Sequence, residues 1–152
     1  LFSEKFPDYH LLIVGGQGWG KEDINKIIRE NYLQKKVHLL GYVSGTSLNY
    51  LYNLAQALVF PSFYEGFGIP PLEAMKCGCP VISSHEASLP EVVGDAGLYI
   101  ETNQPKNIAS AMAKIAVDDD FRAELRNQGL NQSKKFSWEN SAKKLLEILK
   151  AL

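Results

Sequence analysis

Cysteine is nearly absent from this chain, with two in 152 residues, Cys77 and Cys79. They stand too close together for an ordinary structural disulfide, which suits a reducing compartment, most simply the cytosol. Packing, not redox chemistry, is their expected role. Histidine is almost as scarce, and the three at positions 10, 38 and 85 lack the spacing of a metal-ligand set. No apolar run nears the roughly 20 residues that span a bilayer. The opening LFSEKFPDY has neither the basic nor the apolar region of a signal peptide, and reads as the tail of a helix that begins upstream. An excess of either charge is missing too: 16 Lys and Arg stand against 17 Asp and Glu, for a net charge of -1. Such balance carries no global attraction for nucleic acid or for an acidic membrane. No repeat, low-complexity stretch or linker interrupts the chain, and its length suits one domain over 1–152.

What is present is the ordinary mixture of a globular protein, 45% hydrophobic and 22% charged. Short apolar runs alternate with helical spacing. His10 to Val14, ending at Gly15-Gly16, reads as a buried strand. Residues 21–33 follow as a helix, with Ile24, Ile27, Ile28 and Tyr32 on one face. Val37 to Leu40 is a second strand, closed by Gly41. Leu48, Leu51, Tyr52 and Ala55 then repeat the helical spacing, with Ser44 or Thr46 as cap. Ala57 to Phe60 is a third strand and Pro80 to Ile82 a fourth, separated by a glycine-rich loop and a helix over 70–77 with proline in its first turn. Leu98 to Ile100 gives a short fifth strand. Three helices close the chain. One follows Pro105, with Ile108, Met112 and Ile115 inward, and one starts near Asp118-Asp119-Asp120. The last follows Ser137, with Trp138, Ala142, Leu145, Leu149 and Leu152 on a stripe.

This alternation predicts an α/β fold, a Rossmann-like parallel sheet of about five strands with helices on both faces. Such sheets bind ligands in the loops at the carboxyl ends of their strands, here just after Val14, Leu40, Phe60 and Ile82. The fold names no reaction by itself.

The loop after the third strand is the most informative. PSFYEGFGIPPLEAMKCGCPVI, residues 61–82, puts Glu65 in a loop and Glu73 one turn inside the next helix. Gly66 and Gly68 let the backbone between them approach a ligand. The helix start near Ile69 and Pro70 is expected to offer unpaired N–H groups and a positive dipole end, a seat for a diphosphate. Glu73 could accept hydrogen bonds from vicinal ribose hydroxyls, and Glu65 from a sugar beyond the phosphates. His85-Glu86, after the fourth strand, reads either as a ligand contact or as a solvated loop, and Glu91 as the start of a short helix after Pro90.

The block EGFGIPPLE resembles the signature of the group 1 family of retaining glycosyltransferases, which have the GT-B fold: two glutamates with seven residues between them, around Gly-Phe-Gly. VHLLGYVSGTSLNYLYNLAQALVFPS upstream, GCPVISSHEASLPEVVGDAGLYI downstream and FSWENSAKKLLEIL near the end are similar to the family's continuation, so the resemblance covers most of the chain. It implies that the chain is one half of a GT-B architecture and binds a nucleoside diphosphate sugar. Glu73 would bind the ribose and Glu65 the donor sugar at the reaction centre. The amides around Gly66, Phe67, Gly68 and Ile69 would face the sugar or its phosphates. Gly41, Tyr42 and Val43 would lie against the base, and Gly15 and Gly16 would border the same cleft. No metal and no cofactor are implied. GGQGW resembles mannosyltransferase-like members, so GDP-mannose is the first expectation and a UDP-sugar the second. The reaction implied is transfer to a hydroxyl with retention, by front-face attack assisted by the leaving phosphate. Family members carry an Arg and a Lys after a first strand that here would precede Leu1, and an N-terminal domain that binds the carbohydrate or lipid-linked acceptor. The resemblance therefore implies a chain that lacks both, binds nucleotide weakly alone and transfers no sugar. It leaves peripheral membrane association of the parent enzyme open. Removing the first strand from the order 3-2-1-4-5-6 leaves a flavodoxin-like 2-1-3-4-5, which either closes or keeps a slot.

Three rival readings have less behind them. Gly15 to Lys21, G-G-Q-G-W-G-K, has the glycine and lysine spacing of a P-loop, but Glu22 stands where Ser or Thr would hold magnesium, and no later strand ends in a suitable Asp. A flavodoxin-like or receiver interaction module would need a hydroxyl-rich or acidic loop where this chain has glycines. A sugar-nucleotide epimerase of the same architecture would lack the Gly-Phe-Gly block.

Overall fold

The computed structural model describes residues 1–16 and 23–151, and these fall into two compact units, Leu1–Leu48 and Asn49–Leu152.

In the first unit, the helical turn α1 (Phe2–Lys5) leads into a knot of rings, Phe2, Phe6 and Tyr9, with centroids 4.7 to 5.9 Å apart. The strands β1 (Leu11–Val14) and β2 (Val37–Gly41) run parallel, from Leu11 opposite Val37 to Val14 opposite Gly41. Between them lies α2 (Ile24–Glu30), whose cap Asp23 accepts the Asn25 N–H at 2.9 Å. Two expectations are corrected here. β1 is not buried: Leu11 is 42% and Leu12 44% exposed. Each strand of a two-stranded sheet has one neighbour, and the single helix α2 buries only Ile28. Tyr32 does not share the α2 face either. The helix ends at Glu30, and Tyr32 sits beyond it in the left-handed region (φ 55), 88% exposed.

The helix α3 (Gly45–Leu54) starts at Ser44, whose hydroxyl accepts the Ser47 N–H at 3.3 Å, so Ser44 and not Thr46 is the cap.

In the second unit, β3 (Leu58–Phe60), β4 (Val81–Ser84) and β5 (Gly97–Ile100) form a parallel sheet with β4 in the middle. Successive strand residues face opposite sides. Val81 and Ile82 are both fully buried, so the sheet is covered on both faces. The cover comes from α4 (Ile69–Lys76), α5 (Leu89–Val93), α6 (Pro105–Val117) and α7 (Asp119–Ser133). Ile82 and Ile100 meet Ala111 and Ile115 of α6 and Leu125 of α7 in one core, with Ile108 and Met112 packed against it. Asp118 caps α7 by accepting the Phe121 N–H at 2.9 Å. α4 lies tight against α7: a Cβ added at Gly129 would come within 3.2 Å of Met75 Cγ. The last helix, α8 (Trp138–Ala151), carries the expected stripe but buries none of it, and Trp138 is 87% exposed. Leu152 lies outside the described residues.

The alternation of parallel strands and covering helices is as expected, and so are five strands. They do not, however, form one sheet. A 2-1-3-4-5 order requires a ladder between β1 and β3, and none occurs among the described residues. β1 pairs with β2, and β3, three residues long, pairs with β4.

Candidate functional site

β3 stops at Phe60 because Pro61 has no N–H to continue the ladder. The chain then crosses the carboxyl end of the sheet as a loop and re-enters a helix at Gly68. Glu65 sits in that loop, half-buried, and Glu73 sits half-buried in the second turn of α4. None of the ion pairs among the described residues involves either carboxylate.

The amides between them are the unusual feature. Among the described residues no protein acceptor takes the N–H of Gly66, Phe67, Gly68 or Ile69. The expected donors deeper in the helix are a different matter. Pro70 and Pro71 fill the positions after Ile69 and carry no N–H, and the Leu72 N–H already bonds to the Gly68 carbonyl at 3.2 Å. The N–H groups without a protein acceptor are therefore those of the loop and the first helical residue, not those of the rest of the first turn of α4.

The two loop glycines are there for different reasons. Gly68 has φ 103, and a Cβ on it would lie 2.9 Å from Leu89 Cδ2. The fold itself demands that glycine. A Cβ on Gly66 would meet nothing within 4 Å. No described residue requires its bareness.

Glu73 leaves an electrostatic mark. Burial, and then the Glu73 carboxylate, push the Tyr52 phenol of α3 up to about 12. The same two causes, in the same order, raise the Cys77 thiol. Cys77 and Cys79 are free thiols, and burial lifts Cys79 to about 12 as well. His85 is exposed and sets its ring edge-on to Tyr99, with centroids 4.7 Å apart. Glu86 is exposed, and Glu91 lies in the first turn of α5.

The remaining candidates belong to the first unit. Gly15 and Gly16 follow β1, Gly41 ends β2 and Tyr42 and Val43 follow it, at the carboxyl ends where a parallel sheet is expected to bind. The Gly15 N–H donates to the Gly41 carbonyl at 2.8 Å, and Tyr42 is 88% exposed. The rest of the GGQGW segment, together with Lys21 and Glu22 of the P-loop reading, lies outside the described residues.

Three serines matter that the motif did not announce. Ser62 donates to Glu65 Oε1 at 2.9 Å, Ser88 donates to the Glu65 carbonyl at 2.9 Å, and buried Ser84 donates to the Ser62 carbonyl at 2.5 Å. The visible signal was Ser83-Ser84, a polar pair closing an apolar strand at its functional end. A cavity of about 300 Å³ lined by Asn53, Gln56, Pro80, Asp119, Arg122 and Arg126 lies elsewhere, at the amino end of β4. That is the wrong end of a parallel sheet for this loop.

Comparison with known proteins places the chain among sugar-transferring enzymes. A family model described as glycosyl transferases group 1 matches residues 1–132. The O-antigen chain mannosyltransferase B of Escherichia coli is 42% identical over 144 residues, 95% of this chain and 38% of that protein. The chain thus spans well under half the length of that curated relative. Among solved structures, sucrose-phosphate synthase from Thermosynechococcus elongatus matches 97% of this chain and 39% of its own, with a TM-score of 0.85 and 28% identity. TarM from S. aureus, solved in complex with UDP, matches 96% of this chain and 30% of its own, with a TM-score of 0.85 and 25% identity. Among the described residues no helix is long and apolar enough to cross a membrane.

Proposed function

Since the chain belongs to the group 1 glycosyltransferase family, we propose that residues 1–152 bind the donor of a retaining sugar transfer, a nucleoside diphosphate sugar. The observation that carries this is the run of four amides, Gly66 to Ile69, for which no acceptor occurs among the described residues, flanked in the sequence by Glu65 and Glu73. Consecutive free N–H groups at a helix amino end form a concavity suited to phosphate oxygens.

In this reading the diphosphate lies on those amides. Glu73 accepts hydrogen bonds from the ribose hydroxyls, and Glu65 from the hydroxyls of the donor sugar at the reaction centre. Gly41, Tyr42 and Val43 are assigned to the base, and Gly15 and Gly16 to the donor as well. Neither carboxylate acts as nucleophile. The acceptor hydroxyl attacks on the face the diphosphate leaves, so the anomeric configuration is kept. Charge developing on the leaving diphosphate is met by fixed backbone dipoles, the kind of preorganised electrostatics that dominates many catalysed transfers. No metal is assigned to the site. Acceptor binding lies outside this proposal, since the chain spans 38% of its mannosyltransferase relative. The name of the mannosyltransferase relative supports mannose as the sugar and polysaccharide assembly as the setting; GDP as the carrier and a cytoplasmic site complete the proposal. The UDP bound by TarM keeps a UDP-sugar as the second donor.

A calorimetric or NMR titration with UDP, GDP, ADP and ATP, with and without magnesium, tests the reading on wild-type protein and Glu73→Ala. The expected result is one preferred diphosphate, bound without magnesium and about tenfold or more weaker in the variant, the loss of hydrogen bonds to a charged acceptor. Binding that is magnesium-dependent, or indifferent to Glu73→Ala, refutes the assignment.

A further inference from the structure

Resting on the reading that Glu65 faces the donor sugar, we propose that Ser62 is a positioning residue that sets the Glu65 carboxylate for that sugar. The Ser62 hydroxyl lies 2.9 Å from Glu65 Oε1 and 3.1 Å from the Tyr64 carbonyl. It has one proton to give, and a carboxylate is the stronger acceptor because its charge strengthens the bond. That bond holds one oxygen of Glu65 and leaves the other for a ligand hydroxyl.

Ser62 can do this because it is itself held. Ser84, at the carboxyl end of β4 and fully buried, donates to the Ser62 carbonyl at 2.5 Å. Ser88, just before α5, donates to the Glu65 carbonyl at 2.9 Å. The free end of Ser88 would ordinarily cap its own helix, yet no cap bond from its side chain is made. Its hydroxyl is committed to the neighbouring loop instead. Backbone on both sides of Glu65 is thus tied to β4 and to the segment leading into α5, and Ser62 sets the remaining freedom, the side-chain torsions. A glutamate alone has several rotamers to lose on gripping a sugar, and ordering them weakens the grip. A carboxylate already turned by Ser62 loses fewer.

The readout is the affinity gained when a sugar is added to the nucleotide, measured by calorimetry with GDP against GDP-mannose and UDP against UDP-glucose. Wild-type protein is expected to favour the sugar nucleotide, and Glu65→Ala to lose that gain. Ser62→Ala is expected to lose about three- to tenfold of it, with the bare nucleoside diphosphate bound as before. Ser62→Thr, which keeps the hydroxyl, restores the gain. In the Glu65→Ala background, Ser62→Ala has no further effect, since the serine acts only through that carboxylate. No gain in wild-type protein, or a gain that survives Glu65→Ala, overturns the Glu65 reading and the serine with it. A gain lost in Glu65→Ala but retained in Ser62→Ala overturns the serine alone. So does a Ser62→Ala protein that binds nucleotide and sugar nucleotide equally poorly, or one that fails to fold while Ser62→Thr folds but shows no gain.

Discussion

Gly66 and Gly68 look alike in the sequence and are separable in the laboratory. At Gly68 a methyl group would have to displace Leu89, 2.9 Å away, from a backbone at φ 103. Gly68→Ala should cost on the order of 1–3 kcal/mol and lower the thermal midpoint. Gly66→Ala has open space before it, so its melting curve should overlay that of the wild type while nucleoside diphosphate binding weakens. A Gly66→Ala protein that melts early, or that binds as well as before, would remove the argument that this glycine is bare for the ligand's sake. The serines show where reading a sequence stops. A glutamate beside Gly-Phe-Gly is a local pattern. Ser88 reaching the Glu65 carbonyl joins positions 23 residues apart, and only the fold brings such a pair together. The donors lost at Pro70 and Pro71 were legible from the start, because proline lacks an N–H in any context.

At the level of elements, periodicity located the strands and helices well wherever burial enforces it. β4 is the clearest case, with all four residues buried. It served less well where the sheet is thin. The LLIV run of β1 has the composition of a buried strand, but composition reports what a strand would prefer to touch, not whether a neighbour is supplied. Which strands share a sheet depends on long-range pairing, so the division into sheets of two and three was beyond local pattern. Helix starts were the most predictable, since a cap needs only residues in its own first turn. The Asp118 carboxylate holds the Phe121 N–H at 2.9 Å. Asp118→Ala should therefore destabilise the second unit by about 1 kcal/mol, and Asp118→Asn by less, measured by urea unfolding. Equal stability of all three proteins would show the cap to be idle.

For the whole molecule, the response to alkali follows from two buried acids. Burial lifts Cys79 from its usual 9.0 to about 12, and Tyr52 from 10.0 to about 12. An unfolded chain releases these protons near the usual values while the folded chain keeps them. Stability is therefore complete below about pH 9 and falls as pH rises toward about 12. Thermal midpoints across that range should decline, and Cys79→Ala should decline less steeply; identical slopes would refute the assignment to this thiol. The purified 152-residue protein should also transfer no sugar from GDP-mannose to a hydroxyl acceptor in a radiolabel assay. Measurable transfer would show that residues 1–152 suffice for the reaction.

The seat of α4 limits how any of this can move. Ala74 and Met75, the two residues after Glu73, are wholly enclosed, and Met75 is backed by the bare Gly129 of α7. A helix wedged in this way behaves as an anvil and not as a hinge. Glu73 is held by the packing behind it, as Glu65 is held by the serines around it. On the proposed assignment, the ribose end of the donor meets a position set by helix packing, and the sugar end one set by a few hydroxyls that substitution can retune.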